Sequence, residues 1–316
     1  MRTILFVSRK AERCGVADYG SRVYQVLQRS KLFNVVMVEI ESAQEYLEAY
    51  NSVKPDVVLY NYYPTILSFI TNEFLSDKRD IPHIALYHEA GLAFTPTAII
   101  DVDSTRPDDI ENNIFSIPRP LFEKYEGDTT PTNNDIITIG TFGFGFRDKN
   151  FPKLAQIVCE QFDTAKIRVN TPYATFGDET GESARTEVAK MQHIIDQSGK
   201  NIILEVNHDF LDHNSLLEFL RGNDINIFMY EPFNERSLSG STDYALSARR
   251  PIGISKSWMF RHINWVKPSI FVDETPILDI IKNGTKPLEV IYEIHSKENL
   301  LKKYEYILTK FLKTKQ

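Results

Sequence analysis

Through the first 120 residues, short apolar runs alternate with longer segments whose apolar positions recur at helical spacing. The runs fall at residues 3–7, 35–40, 56–60 and 83–87, with weaker ones at 98–102 and 114–117. They are rich in Val, Ile, Leu and Tyr and are continuous rather than alternating, the pattern of strands buried on both faces of a parallel sheet. Between them, residues 17–29, 43–50 and 64–75 space their apolar side chains as a helix does, and helices are predicted there. Strand, helix, strand at this rhythm predicts right-handed βαβ units in an α/β protein.

The rhythm breaks between Pro118 and Asp135, where Pro120 and Pro131 stand with Thr129, Thr130, Thr132, Asn133 and Asn134, a polar, turn-rich stretch. It then restarts. Strands are predicted at 136–141, 166–170, 202–206, 225–230 and 251–255, with a late one at 269–272. Helices are predicted at 152–162, 182–197, 214–220 and 242–249. The chain ends in an amphipathic helix, 297–313, with Leu300, Leu301, Tyr304, Ile307, Leu308 and Phe311 on one face. The organisation expected is an N-terminal Rossmann-like domain at 1–120, a linker at 121–135, a C-terminal Rossmann-like domain at 136–295 and a C-terminal helix at 296–316. Two doubly wound sheets joined in this way would face a central cleft, where α/β proteins bind ligands.

Composition narrows the class. A chain of 316 residues with 42% hydrophobic and 25% charged residues is long enough for two globular cores. Lys+Arg 36 against Asp+Glu 43 leaves a net charge of −7, which argues against a nucleic-acid partner. Two cysteines, Cys14 and Cys159, are too few for a disulfide scaffold and suit a reducing compartment. No apolar run reaches the ~18 residues of a membrane span, and the start of the chain lacks a signal-peptide core. The expected location is therefore cytoplasmic. Lys302, Lys303, Lys310, Lys313 and Lys315 near the end leave two readings open, weak peripheral contact with the inner face of an anionic membrane and a solvated helix face.

Three segments could carry chemistry. Cys14-Gly15-Val16-Ala17-Asp18-Tyr19 follows the first strand, and Gly15 at a helix mouth either lets backbone amides approach an anion or sugar or simply makes a turn. Gly140-Thr141-Phe142-Gly143-Phe144-Gly145 runs on through Arg147 and Lys149. It is neither a G-x-G-x-x-G motif nor a P-loop, yet its amides and two cations converge as a diphosphate site would require. The third segment follows the predicted strand 225–230 and carries Glu231, Glu235 and Arg236. There Ser239-Gly240-Ser241 opens a helix whose first N–H groups are free for a phosphate or sugar oxygen.

Together these blocks resemble GT-B glycosyltransferases, specifically the family 4-like group with retaining chemistry. Cys14 to Tyr19 resembles the family's first-loop block, and His88-Glu89 at a strand end is similar to its His-Asp or His-Glu. The glycine loop with Lys149 resembles the loop and Lys that bind the donor diphosphate. Ser239-Gly240-Ser241, continuing through Ala245 to Pro251, resembles the donor-site helix and the turn after it. The family's terminal helix packs back across the domains, as the segment after residue 296 is then expected to do.

The resemblance implies transfer of a sugar from a nucleotide-diphosphate donor to a glycan or glycolipid hydroxyl, with retention, in polysaccharide or envelope glycan synthesis. It implies no metal and no cofactor beyond the nucleotide-sugar substrate. Donor-binding residues are then Gly15, Gly143, Gly145, Arg147, Lys149, Ser239, Gly240, Ser241 and Asp243, with His88 and Glu235 as catalytic candidates. The family's Glu-x7-Glu pair is degenerate here. Ungapped alignment on Pro251 puts Arg236 and Tyr244 in its places, and a slide of one residue puts Glu235 and Asp243 there, keeping a carboxylate for the ribose diol. Asp101-Val102-Asp103 matches the metal motif of the other glycosyltransferase fold, but the restart of the pattern after residue 135 favours a plain strand-end loop. His208 and His213, with Asp209 and Asp212, read as a solvated loop. A GT-B sugar-nucleotide epimerase and a catalytically silent nucleotide- or glycan-binding homologue remain as alternatives.

Overall fold

The computed structural model describes residues 1–10, 14–65, 67–78, 80–88, 91–122, 134–174, 177–232 and 236–312. The chain forms two compact units, Met1–Leu121 with Glu293–Gln316, and Phe122–Tyr292. Among the described residues no helix is long and apolar enough to cross a membrane.

The first unit is built from β1 (Arg2–Arg9), α1 (Gly15–Leu27), β2 (Phe33–Ile40), α2 (Ala43–Val53), β3 (Val57–Tyr62), β4 (His83–Tyr87), β5 (Ala98–Asp101) and β6 (Ile114–Ser116). The strands form one parallel sheet in the order β2-β1-β3-β4-β5-β6. Successive strand residues point to opposite faces, and both faces are covered. Ile4, Phe6, Val57, Leu59, Ile84, Leu86 and Ile100 pack with Tyr19, Val23, Val26 and Leu27 of α1. Leu5, Val7, Val58, Tyr60, Tyr62 and Ala85 pack on the other side with Tyr46 of α2 and Phe94. Burial on both faces is why these strands read as unbroken apolar runs. Each such side chain contributes about 1.5–3 kcal/mol when fully buried.

The predicted helix at 64–75 does not form; its described residues are turns. Leu67, Ile70 and Leu75 still enter the core. However, Thr71 Oγ1 accepts from the Phe74 amide at 3.2 Å, and Asn72 Oδ1 accepts from the Thr95 amide at 2.9 Å. Thr71, which offers the backbone a local partner, competes in this way with the helical ladder, and Asn72 is drawn to a distant partner, Thr95, instead.

The second unit contains β7 (Thr138–Phe142), α3 (Phe151–Gln161), β8 (Thr164–Asn170), α4 (Glu182–Ser198), β9 (Asn201–Asn207), α5 (His213–Arg221), β10 (Ile225–Phe228), α6 (Gly240–Ala248), β11 (Ile252–Ile254) and α7 (Ile277–Asn283). Its sheet is also parallel, in the order β11-β10-β7-β8-β9. The late strand expected at 269–272 is reduced to a single parallel bridge between Phe271 and Ile254. The chain returns to the first unit through α8 (Glu289–Ile294) and ends in α9 (Lys297–Phe311). Leu300, Tyr304, Ile307 and Leu308 of α9 join the α1 side of the first core, and Lys302, Lys303 and Lys310 stay exposed.

In each sheet the chain reverses direction beside its first strand. β1 lies between β2 and β3, and β7 lies between β8 and β10. At such a switch point the loops leaving neighbouring strands diverge to opposite faces and open a crevice at the carboxyl edge. Some of the residues singled out from the sequence, among them Gly15, His88, Gly143, Lys149 and Ser239, lie at these two places.

Candidate functional site

At the switch point of the first sheet, Ser8 is the penultimate residue of β1, Asn61 the penultimate residue of β3, and His88 follows β4. The Asn61 amide nitrogen donates to Ser8 Oγ at 3.0 Å and to the Val16 carbonyl of α1 at 2.7 Å. Its oxygen faces His88 Nε2 at 2.8 Å. The His88 ring, partly open to solvent, meets Tyr19 edge-on, with centroids 4.9 Å apart. Arg22 and Arg119 lie over the Tyr19 ring at 5.9 and 5.7 Å. Loss of hydration, with the nearby charges of Arg119 and Arg22, presses the His88 pKa down to about 3, so the ring is neutral. Gly15 opens α1 with free space beside its Cα, and Cys14 precedes it as a cap that makes no side-chain hydrogen bond. Glu89 and Glu235 lie outside the described residues.

At the switch point of the second sheet, the loop after β7 meets the segment after β10. Gly143 has φ +142°, a backbone conformation that side-chain-bearing residues rarely adopt, and a Cβ there would touch Lys149 and the Tyr230 hydroxyl. Lys149 Nζ sits 3.9 Å from the centre of the Tyr230 ring. The Tyr230 hydroxyl donates to Ser241 Oγ at 2.7 Å. Gly143, Lys149, Tyr230 and the first turn of α6 are thereby one assembly, and Lys149 has no carboxylate partner among the described residues. Ser239 caps α6, its Oγ accepting from the Ser241 amide at 3.2 Å, next to Gly240. Behind this turn, Thr242 Oγ1 donates to the Ser239 carbonyl at 2.6 Å and lies 3.0 Å from His262 Nε2, which braces it.

The remaining sequence candidates divide. Arg147 is exposed beside the loop. Gly145 packs on α4, where a Cβ would come within 2.2 Å of Ala184 Cα, and its carbonyl accepts from Ser183 Oγ at 2.6 Å. Asp243 is 1% exposed within α6. In the other register, Arg236 pairs with Asp148 at 3.2 Å, and the Tyr244 hydroxyl lies 2.6 Å from His213 Nδ1. Asp101 and Asp103 both bind Arg106, at 2.9 and 3.4 Å, so the Asp-x-Asp carboxylates hold a guanidinium. Among the described residues, no group of three or more His, Cys, Asp or Glu side chains could hold a metal ion. His208 Nδ1 bonds the Thr171 carbonyl at 2.8 Å.

Neither Asn61 nor Tyr230 stands out as a functional residue in the sequence. The available signal for Asn61 is a polar residue inside an apolar strand, which when buried must find partners. Tyr230 carries none beyond its place at a strand end.

No protein-family model matches the chain, and no curated protein sequence matches it. Solved structures do match, over nearly its whole length. A glycosyltransferase from Rickettsia africae is 11% identical over 99% of each chain, with a TM-score of 0.63. HepE of Anabaena, solved with UDP and glucose, is 11% identical over 98% of this chain and 100% of its own, with a TM-score of 0.57. A UDP-forming α,α-trehalose-phosphate synthase from Burkholderia xenovorans is 9% identical over 99% and 100%, with a TM-score of 0.63. The likeness is one of fold. This is the GT-B fold, two Rossmann-like α/β domains each built on a parallel sheet.

Proposed function

We propose that the protein is a glycosyltransferase that moves a sugar from a nucleotide-diphosphate donor to a hydroxyl of a glycan or glycolipid. The observation that carries this reading is the assembly of Gly143, Lys149, Tyr230 and Ser241 at the switch point of the second sheet. An ammonium beside a helix N-terminus is a site for an anion, and a diphosphate is the anion that a GT-B protein's substrate would bring. HepE, of the same fold, was solved with UDP and glucose, which supports a nucleotide-sugar donor here.

In this reading the anomeric carbon–oxygen bond breaks with its electron pair passing to the diphosphate. The acceptor oxygen bonds the anomeric carbon on the same face, giving retention, and its proton passes to the departing phosphate oxygen. Lys149 and the amides at the start of α6 offset the charge that grows on the diphosphate, so no metal is required. Only the part of that attraction gained between bound donor and transition state speeds the reaction. His88 is the residue assigned to a substrate hydroxyl.

A thermal-shift screen of nucleoside diphosphates, followed by calorimetry on the wild type and Lys149→Ala, tests this. One nucleotide should stabilise the wild type, and the variant should bind it at least tenfold more weakly. Binding of no nucleotide, or binding indifferent to Lys149, would overturn the reading.

A further inference from the structure

We propose that Asn61 is a positioning residue that holds His88 as the Nε2–H tautomer, so that Nδ1 presents a lone pair to a substrate hydroxyl. The substrate part of this rests on the glycosyl-transfer reading above; the tautomer does not.

The orientation of the amide follows from its partners. The Val16 carbonyl, 2.7 Å away, can only accept, so the nitrogen end of Asn61 must face it. Ser8 Oγ at 3.0 Å takes the second N–H. The oxygen end is then left opposite His88 Nε2 at 2.8 Å. Two acceptors at that distance would repel, so Nε2 carries the hydrogen. In a neutral imidazole the other nitrogen is then unprotonated. His88 Nδ1 has no hydrogen-bond partner among the described residues.

The arrangement is held rigidly. Asn61 is fully buried, and Gly20 of α1 leaves it room, since a Cβ at Gly20 would come within 2.4 Å of the amide nitrogen. Turning the amide over would oppose its oxygen to the Val16 carbonyl. Tyr19, edge-on with an interplanar angle of 83°, fixes the plane of the imidazole. A ring pressed to a pKa of about 3 is a poor proton carrier at neutral pH. The role left to Nδ1 is to accept a hydrogen bond and orient the hydroxyl that gives it.

Long-range 15N–1H spectra of the full-length protein labelled at histidine test the tautomer, with His88 assigned by the signal missing in His88→Gln. At neutral pH the ring should be neutral and protonated at Nε2. An Nδ1-protonated ring or an imidazolium would overturn the assignment. The spectrum reads the tautomer whether or not the protein transfers sugar. An Nε2–H ring in a protein that binds no nucleotide would instead overturn the substrate role while leaving the tautomer intact.

The second measurement is a double-mutant cycle on kcat/KM, using whichever of UDP-glucose and GDP-mannose is turned over. Asn61→Leu and His88→Ala should each lower kcat/KM about tenfold or more, and the double variant should be no slower than His88→Ala alone. Additive losses would make Asn61 a structural residue with its own effect. His88→Asn, whose side-chain oxygen reaches the position of Nδ1, should keep more activity than His88→Gln, which reaches only Asn61. The reverse order would place the working atom at Nε2 and sink the proposal. Calorimetric affinity for the bare nucleoside diphosphate should not change in any of these variants.

Discussion

Lys149 rests its ammonium 3.9 Å from the centre of the Tyr230 ring, and the same Tyr230 donates its hydroxyl to Ser241 at 2.7 Å. One aromatic side chain therefore fixes both halves of the proposed diphosphate site, the cation after β7 and the helix start after β10. Two variants separate the two roles. Tyr230→Phe keeps the ring under Lys149 and loses only a neutral hydrogen bond of about 0.5–1.5 kcal/mol, so nucleoside diphosphate affinity should fall roughly twofold to tenfold. Tyr230→Leu also loses the cation–π contact, ~0.5–2 kcal/mol more, and should be correspondingly weaker. Calorimetric titration with UDP and GDP reads both. Equal affinities for the two variants would mean that the ring does not hold Lys149.

The uneven legibility of this site in the sequence has a physical cause. Strands β1 and β3 show as apolar runs because both faces of the sheet are covered, Leu5 and Val58 packing on one side, Phe6 and Leu59 on the other. The loop with Gly143 and Lys149 is visible because glycines and cations cluster within a few residues. Asn61 is different. Its partners Ser8, Val16 and His88 are 53, 45 and 27 residues away, and only the pairing of β1 with β3 and β3 with β4 assembles them. Residues 64–75 mislead because their apolar spacing is helical, whereas Thr71 supplies a local partner and Asn72 a distant one, Thr95, neither of which periodicity weighs. In Glu-x7-Glu the register itself is the difficulty. Asp243 lies buried and Arg236 is tied to Asp148, so spacing alone does not choose between them.

Lys149→Ala should cost more than Tyr230→Phe. A charge-assisted contact to the diphosphate contributes about 1.5–3 kcal/mol, so affinity should fall roughly tenfold to a hundredfold. Turnover should fall too if charge grows on the leaving group. A variant with normal affinity and normal kcat would remove Lys149 from the site.

Gly145 and Gly15 should respond oppositely to alanine. At Gly145 a methyl group would press on the backbone of α4, 2.2 Å from Ala184 Cα, and overpacking of that kind costs about 1–3 kcal/mol. Nothing lies within 4 Å of a Cβ at Gly15. Gly145→Ala should therefore lower the melting temperature by several degrees, and Gly15→Ala should leave it nearly unchanged. Thermal denaturation followed by circular dichroism distinguishes them, and a stable Gly145→Ala would mean that the loop and α4 part easily.

Activity should survive excess EDTA. Asp101 and Asp103 are engaged by Arg106, and Asp103 also accepts from Thr105 Oγ1 at 2.6 Å. Asp101→Asn and Asp103→Asn should accordingly lower stability with little effect on turnover. Loss of turnover in chelator that manganese or magnesium restores would reinstate these carboxylates as metal ligands.

The neutral His88 ring makes the stability of the protein depend on pH. Its pKa is about 3 in the folded protein, against ~6.5 for an unperturbed histidine in the unfolded chain. Between those values the unfolded state binds a proton that the folded state refuses, so stability falls as pH is lowered through the window. One such group changes stability by at most ~1.4 kcal/mol per pH unit, and by less here because the ring is partly open to solvent. The described groups around it are Tyr19 and Arg22 of α1, Arg119 after β6, and the uncharged Ser8 and Asn61. Asp101, whose pKa burial raises, acts in the opposite sense, but it is common to wild type and variant and cancels in the comparison. Urea midpoints of wild type and His88→Gln should therefore run parallel above about pH 7 and diverge below it, with the wild type falling faster toward pH 4. Parallel curves throughout would show that the folded protein accepts the proton, and His88 would then be free to act as an acid.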